Sequence, residues 1–115
     1  MTRVTYTHDG NAFSLTSEGH AGYAPAGQDL VCAGISALCG ALEIALDNLQ
    51  QAGSARTHFC SLSEAFFQAE AEAADGKGAV RTAFDTVYDG LCRIADAYPD
   101  YLQCKKNILK KEDRK

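Results

Sequence analysis

The sequence predicts an α+β fold in two layers, a mainly antiparallel sheet packed on two helices, in the order β-β-α-β-β-α with a short closing strand. Three observations carry this expectation. Residues 3–7 (RVTYT) and 12–18 (AFSLTSE) alternate in character around Asp9-Gly10-Asn11, the pattern of a hairpin. From Asp29 to about Gln51, Leu30, Val31, Ile35, Leu38, Leu42, Leu46 and Leu49 recur at spacings of three and four, as a helix requires. Ala79 to Tyr98 repeats that spacing through Val80, Phe84, Val87, Tyr88, Leu91, Ile94 and Ala95. At 115 residues and 46% apolar content, one core and one domain over residues 1–115 are expected.

The elements follow from local chemistry. Asp-Gly supplies the backbone freedom of a tight turn, and His8 beside it is expected to be exposed. The second strand runs out at Gly19-His20, and Gly22, Pro25 and Gly27 keep AGYAPAGQ irregular. Asp29 is a favoured N-cap for the long helix and Gly53 marks its end. Gly34 and Gly40 each cost that helix about 1 kcal/mol against Ala, so another element is expected to pack closely there. Residues 55–61 (ARTHFCS) and 65–73 (AFFQAEAEA) read as strands, since two amphipathic helices need a sheet to cover. Pro99 stops the second helix, YLQCK supplies the last strand, and residues 107–115 are expected to form a frayed, charged tail.

Charge and cysteine usage narrow the function. The net charge is −4, and six of the 11 basic residues lie at or beyond Lys105, leaving the body more acidic still and poorly suited to a phosphate backbone. Direct nucleic-acid binding is therefore not expected. No apolar run approaches the roughly 20 residues of a membrane span, and the N-terminus lacks a signal-peptide core, so a cytoplasmic protein is expected. Five irregularly spaced cysteines then read as free thiols. Without CxxC or HxxxH, neither a metal site nor a cofactor is expected.

The stretch GHAGYAPAGQDLVCAGIS, residues 19–36, carries the chemistry. With Asp29 as N-cap, Cys32 falls in the first helical turn, where free backbone N–H groups and the helix dipole favour a thiolate. The same N–H groups could hold an oxyanion. His20, at the strand end, can reach the helix start if the loop folds back. Asp29 opposes a neighbouring thiolate unless backbone N–H groups or His20 engage it, in which case it could orient the imidazole. Spacing alone leaves the alternative open that Cys32 is a small buried residue and His20 solvated. Ser36, one turn after Cys32, serves either close packing or a hydrogen bond to the site. Cys39 and Cys92 read as core. His58 and Cys60, taken as sharing a strand face, form a weaker rival pair because nothing there lowers the thiol pKa. A redox sensor is disfavoured, since Cys39 lies about 10 Å along the helix from Cys32.

Gly19-His20-Ala21, a loop, then Asp29-Leu30-Val31-Cys32-Ala33 with Ser36 resembles the Prp (YsxB-like) family of bacterial ribosomal-processing cysteine proteases. The likeness extends to chain length, the long helix and the segment Ala-Asp-Ala-Tyr-Pro-Asp-Tyr at the end of the second. It implies a small α/β fold, commonly a homodimer, and an endopeptidase that removes the N-terminal extension of large-subunit ribosomal protein twenty-seven. Carried onto this chain, Cys32 is the nucleophile and His20 the general acid and base, with Asp29 and Ser36 in supporting positions. Ala21, Gly22, Tyr23, Ala24, Pro25, Ala26, Gly27 and Gln28 become a mobile loop that orders around substrate. A noncatalytic module whose loop captures a peptide or ribosomal partner is the competing expectation.

Overall fold

Polarity alternation decides which face of the sheet is buried. The computed structural model describes residues 1–109 and contains β1 (Thr2–His8), β2 (Ala12–Glu18), α1 (Leu30–Gln51), β3 (Ala55–Ser63), β4 (Phe66–Ala73), α2 (Ala79–Ala97) and β5 (Leu102–Ile108). The strands form one sheet in the order β3-β4-β2-β1-β5. All neighbours are antiparallel except β1 and β5, which run parallel because α2 carries the chain across between β4 and β5. The α+β expectation holds. The final strand is longer than expected: Asn107 and Ile108 pair with Thr7 and His8, and only residues 110–115 of the expected tail lie outside the described residues.

Val4, Tyr6, Phe13, Leu15, Phe67, Ala69 and Ala71 point from the sheet to the helices and are buried with Ile35, Cys39, Leu42, Leu46, Phe84 and Leu91. Tyr6 anchors this layer: its ring lies 5.9 Å from Phe84 and 5.2 Å from Tyr88, and its hydroxyl donates to Asp85 at 2.7 Å. Burial, reinforced by that carboxylate, pushes the Tyr6 phenol far above its ordinary range. The helices approach where side chains are missing. A Cβ on Gly34 would stand 3.0 Å from Ile94 Cδ1, and one on Gly90 would stand 3.0 Å from Leu38 Cδ2. The close approach expected at Gly40 is not found, since a Cβ there would stand 4.0 Å from Leu62 Cδ2 of β3.

Three sequence expectations are corrected. α1 is long and apolar enough to cross a membrane by length and composition, with mean hydropathy 1.8. Here its stripe Val31, Ile35, Cys39, Leu42 and Leu46 is buried within the protein core. The rival pair His58 and Cys60 is split by a β-bulge between Thr57 and Phe59. His58 bonds Glu72 at 2.6 Å among the outward-facing polar residues, whereas Cys60 packs against the core.

His8 is buried rather than exposed, at 2% accessibility, because strand alternation turns it inward after Val4 and Tyr6. It packs against Tyr6 and Phe13, and the Gly10 N–H donates to Nδ1 at 3.2 Å. The neutral ring therefore carries its proton on Nε2, which has no hydrogen-bond partner among the described residues. Burial lowers its pKa, helped by Arg81 and Lys106 and opposed by Asp85 and Asp9. The folded state then binds fewer protons at His8 than the unfolded chain. This contribution to stability is complete above the unfolded value near 6.5 and declines as pH falls from there toward the lower folded value. Urea denaturation at pH 7.5 and 5.5 is expected to show this loss, and His8→Phe to remove its share of the slope.

Candidate active site

The start of α1 is built by one carboxylate. Asp29 has the extended backbone of an N-cap, and its Oδ1 accepts the Cys32 N–H at 2.9 Å. Its Oδ2 reaches into the preceding loop and accepts the N–H groups of Tyr23 at 3.0 Å and Ala24 at 3.3 Å. These bonds, the one from Cys32 N–H foremost and a smaller one from the Cys32 thiol, hold the Asp29 carboxyl below its usual pKa. Backbone engagement thus relieves the electrostatic conflict between Asp29 and a thiolate. The bonds found for Asp29 among the described residues go to those groups and not to His20, so an imidazole-orienting role receives no support. They also occupy the Cys32 N–H, one of the donors that the sequence offered to an oxyanion.

Cys32 is half-buried, and the Ala21 N–H points at its Sγ from 3.4 Å. Ala21 is 2% exposed, so the first residue of the loop is pinned beneath the helix start. His20 is exposed immediately before it, and its carbonyl accepts from the Met1 amino nitrogen at 2.9 Å. Thr2 Oγ1 donates to the Gly19 carbonyl, and the Gly19 N–H donates to the carbonyl of Ala65 in the β3–β4 turn. Gly19 itself has φ +95°, and a Cβ there would stand 2.7 Å from the Met1 carbonyl oxygen. Only glycine fits, which fixes where His20 emerges.

These pieces enclose a cleft of about 570 Å³. His20, Asp29, Cys32 and Ser36 all line it, so the loop does fold back and bring the four expected site residues to one place. Of the expected substrate loop, Gly22, Ala24, Ala26, Gly27 and Gln28 face the cleft. Ala21, Tyr23 and Pro25 do not: Ala21 is buried, Tyr23 packs on Tyr98 and Tyr101, and Pro25 closes a turn by accepting the Gln28 N–H at 2.9 Å. The opposite wall was missed by sequence reasoning. It comes from Leu62, Ser63, Glu64, Ala65 and Phe66 around the β3–β4 turn, where Ala65 adopts φ +59°. The pairing of β4 with β2, Phe66 opposite Glu18, places that turn beside the end of β2, and nothing in its residue types marked it as part of a site.

The arrangement can bring a half-exposed sulfur, an imidazole and backbone N–H donors to one bound chain segment. Gly19→Ala is expected to cost about 1–3 kcal/mol through backbone strain, measured by urea denaturation, and to displace His20 from the cleft.

Among known proteins, the family model described as Cysteine protease Prp matches residues 1–103. No curated protein matches the chain. Similar solved structures include the essential ribosomal processing protease Prp from S. aureus in complex with a covalently linked product peptide. It has TM-score 0.71 and 21% identity, over 93% of this chain and 100% of that one. The same S. aureus protease with a substrate peptide has TM-score 0.66 and 20% identity, over 93% and 100% of the two chains. SMU.848 from Streptococcus mutans has TM-score 0.66 and 19% identity, over 95% and 96%. The structural likeness agrees with the two-layer fold, and the match over residues 1–103 shows that the chain belongs to the Prp cysteine protease family.

Proposed function

We propose that this protein is a cysteine endopeptidase that removes the N-terminal extension of large-subunit ribosomal protein twenty-seven in the cytoplasm, so that the mature protein can enter the ribosome. The carrying observation is that Cys32, at the first turn of α1, shares one cleft with His20. The S. aureus relatives support the substrate class, being ribosomal processing proteases seen with a substrate peptide and with a covalently linked product peptide.

In this reading the Cys32 thiolate attacks the scissile carbonyl carbon, forming the C–S bond and placing charge on the carbonyl oxygen. The Ala21 N–H, already directed at Sγ, steadies the thiolate, and the first-turn amides of α1 other than those of Cys32 and Ala33, which Asp29 engages, stabilise negative charge on the oxygen as it develops. His20 gives a proton to the leaving amine as the C–N bond breaks. It then takes a proton from water, whose oxygen displaces the sulfur and releases the carboxylate product. Ser36 lies one turn from Cys32 on the cleft wall and contributes a hydroxyl to bound peptide. Ala24, Ala26, Gly27 and Gln28 form the peptide-contacting part of the loop. Intact-mass analysis of the extended ribosomal protein after incubation tests the reading. Cys32→Ala is expected to abolish trimming and His20→Ala to slow it by about 10²–10⁴-fold. Trimming by Cys32→Ala would remove the nucleophile assignment.

The homodimer is part of the same proposal. Ala37, Ala41 and Ile44 recur along one exposed side of α1 beyond the cleft, with Ile44 63% exposed. A second copy would cover this apolar side. Sedimentation equilibrium is expected to give a dimer for the parent protein and a monomer for Ile44→Asp.

A further inference from the structure

Tyr23 sits between two loop residues that line the cleft, yet its own ring turns away from it. It meets the rings of Tyr98 and Tyr101 edge-on, with centroids 5.3 and 5.2 Å away and interplanar angles of 81° and 84°. That geometry matches the electropositive edge of one ring to the electronegative face of another. Tyr98 and Tyr101 bracket Pro99-Asp100 in a tight turn, where the Tyr101 N–H donates to the Tyr98 carbonyl at 3.0 Å and the Tyr98 N–H closes α2 on Ile94 at 2.8 Å. The same turn holds the N-terminal strand, because the Thr2 N–H donates to the Tyr101 carbonyl at 2.9 Å while Thr2 Oγ1 donates to Gly19 at 2.9 Å. One rigid turn thus supports both the backbone leading into His20 and the loop that follows it.

We infer that Tyr98 and Tyr101 are positioning residues, which clamp the Tyr23 ring and so anchor the cleft-lining loop from outside the cleft. The clamp acts on the site through two short connections. Two residues before Tyr23, the Ala21 N–H meets Cys32 Sγ, and at Tyr23 itself the N–H meets Asp29 Oδ2. With the ring held, the loop is anchored at Tyr23, and Ala24, Ala26 and Gln28 have fewer conformations to lose as they order around a peptide. Without it, more of that ordering falls on the binding step and appears as weaker binding rather than slower bond cleavage.

The kinetic consequence rests on the proposed peptidase reading, whereas the clamp can be tested without catalysis. Hydrogen–deuterium exchange on the full chain is expected to show the Tyr23 and Ala24 amides protected in the parent protein and in Tyr23→Phe, which keeps the ring. Protection should fall at least about tenfold in Tyr23→Ala, the loss expected for two ring contacts. Tyr23 is 39% exposed, so this variant should retain the parent melting temperature, and Tyr98→Ala is the companion variant. In peptide cleavage assays Tyr23→Ala is expected to raise KM about tenfold with kcat within threefold of the parent, roughly the cost of ordering a few loop residues, and Tyr23→Phe should restore KM. Unchanged amide exchange in Tyr23→Ala, or a Tyr23→Phe variant as impaired as Tyr23→Ala, would overturn the clamp. If the parent protein fails to cleave the extended ribosomal protein, the peptidase reading falls while the exchange result still decides the clamp.

Discussion

The site depends on the carboxylate of Asp29, which ends a loop and starts a helix at once. A helix N-terminus presents N–H groups that the helix cannot satisfy, and a loop of small residues presents more. Asp29 gives one oxygen to each problem, Oδ1 to Cys32 and Oδ2 to Tyr23 and Ala24. The loop is thereby folded over the helix start, and His20 and Cys32 come to face one cleft although eleven residues separate them. The sulfur's surroundings are then a consequence of capping. Asp29 brings negative charge close to a thiol, yet its bonds to backbone amides keep that charge compensated and bring the Ala21 amide within reach of the sulfur.

The cap would be ineffective if α1 could shift on the sheet. Its register is held by apolar residues below and by small residues beside it, since Gly34 receives Ile94 and Gly90 of α2 receives Leu38. Close approach at two points along the pair leaves little freedom to slide. The helical penalty of about 1 kcal/mol for Gly34 therefore serves the position of Cys32, half a turn before it. Below, Tyr6 joins β1 to α2 through its hydrogen bond to Asp85 and its ring contacts. This links the strand that precedes the β2–His20 segment to the helix that ends in the Tyr98 turn.

Element order, the Asp29 cap and the irregular loop were legible because each is written in a local pattern, whereas spacing only permitted the convergence of His20 with Cys32 and the family resemblance implied it. Periodicity identifies a strand or helix, and a cap residue acts within three positions of itself. What was not legible is nonlocal or depends on phase. The parallel pairing of β5 with β1 joins the two ends of the described chain, and no property of LQCKK announces its neighbour. The inward turn of His8 needed only that the alternation of Val4 and Tyr6 be carried one step further, but proximity to the Asp9-Gly10 turn argued for solvent. One inserted residue at the β3 bulge reverses the phase, parting His58 from Cys60. The Tyr23 cluster joins residues 75 and more positions apart, beyond any pattern of spacing.

Five thiols in a small protein differ in how readily their surroundings would carry a charge, and burial disfavours it at most of those outside the cleft entrance. Desolvation pushes the Cys39 thiol up to about 12, even though Cys39 also borders the cleft. Cys104 is likewise held at about 12 by burial and then by the neighbouring Cys92, and Cys60 is raised by burial and by Glu43. Each lies against the core, where an apolar surrounding opposes a negative sulfur. Cys32 also packs against the core and is half-buried like Cys60, Cys92 and Cys104, but it lines the cleft, stands at a helix start and receives a backbone N–H. Cys39 and Cys32 occupy the same helix seven residues apart and touch the same cavity, so residue type and proximity do not separate them. The separation comes from depth along α1. Only its first turn has N–H groups left to interact with a charge, and Cys39 lies where the helix has already satisfied its own.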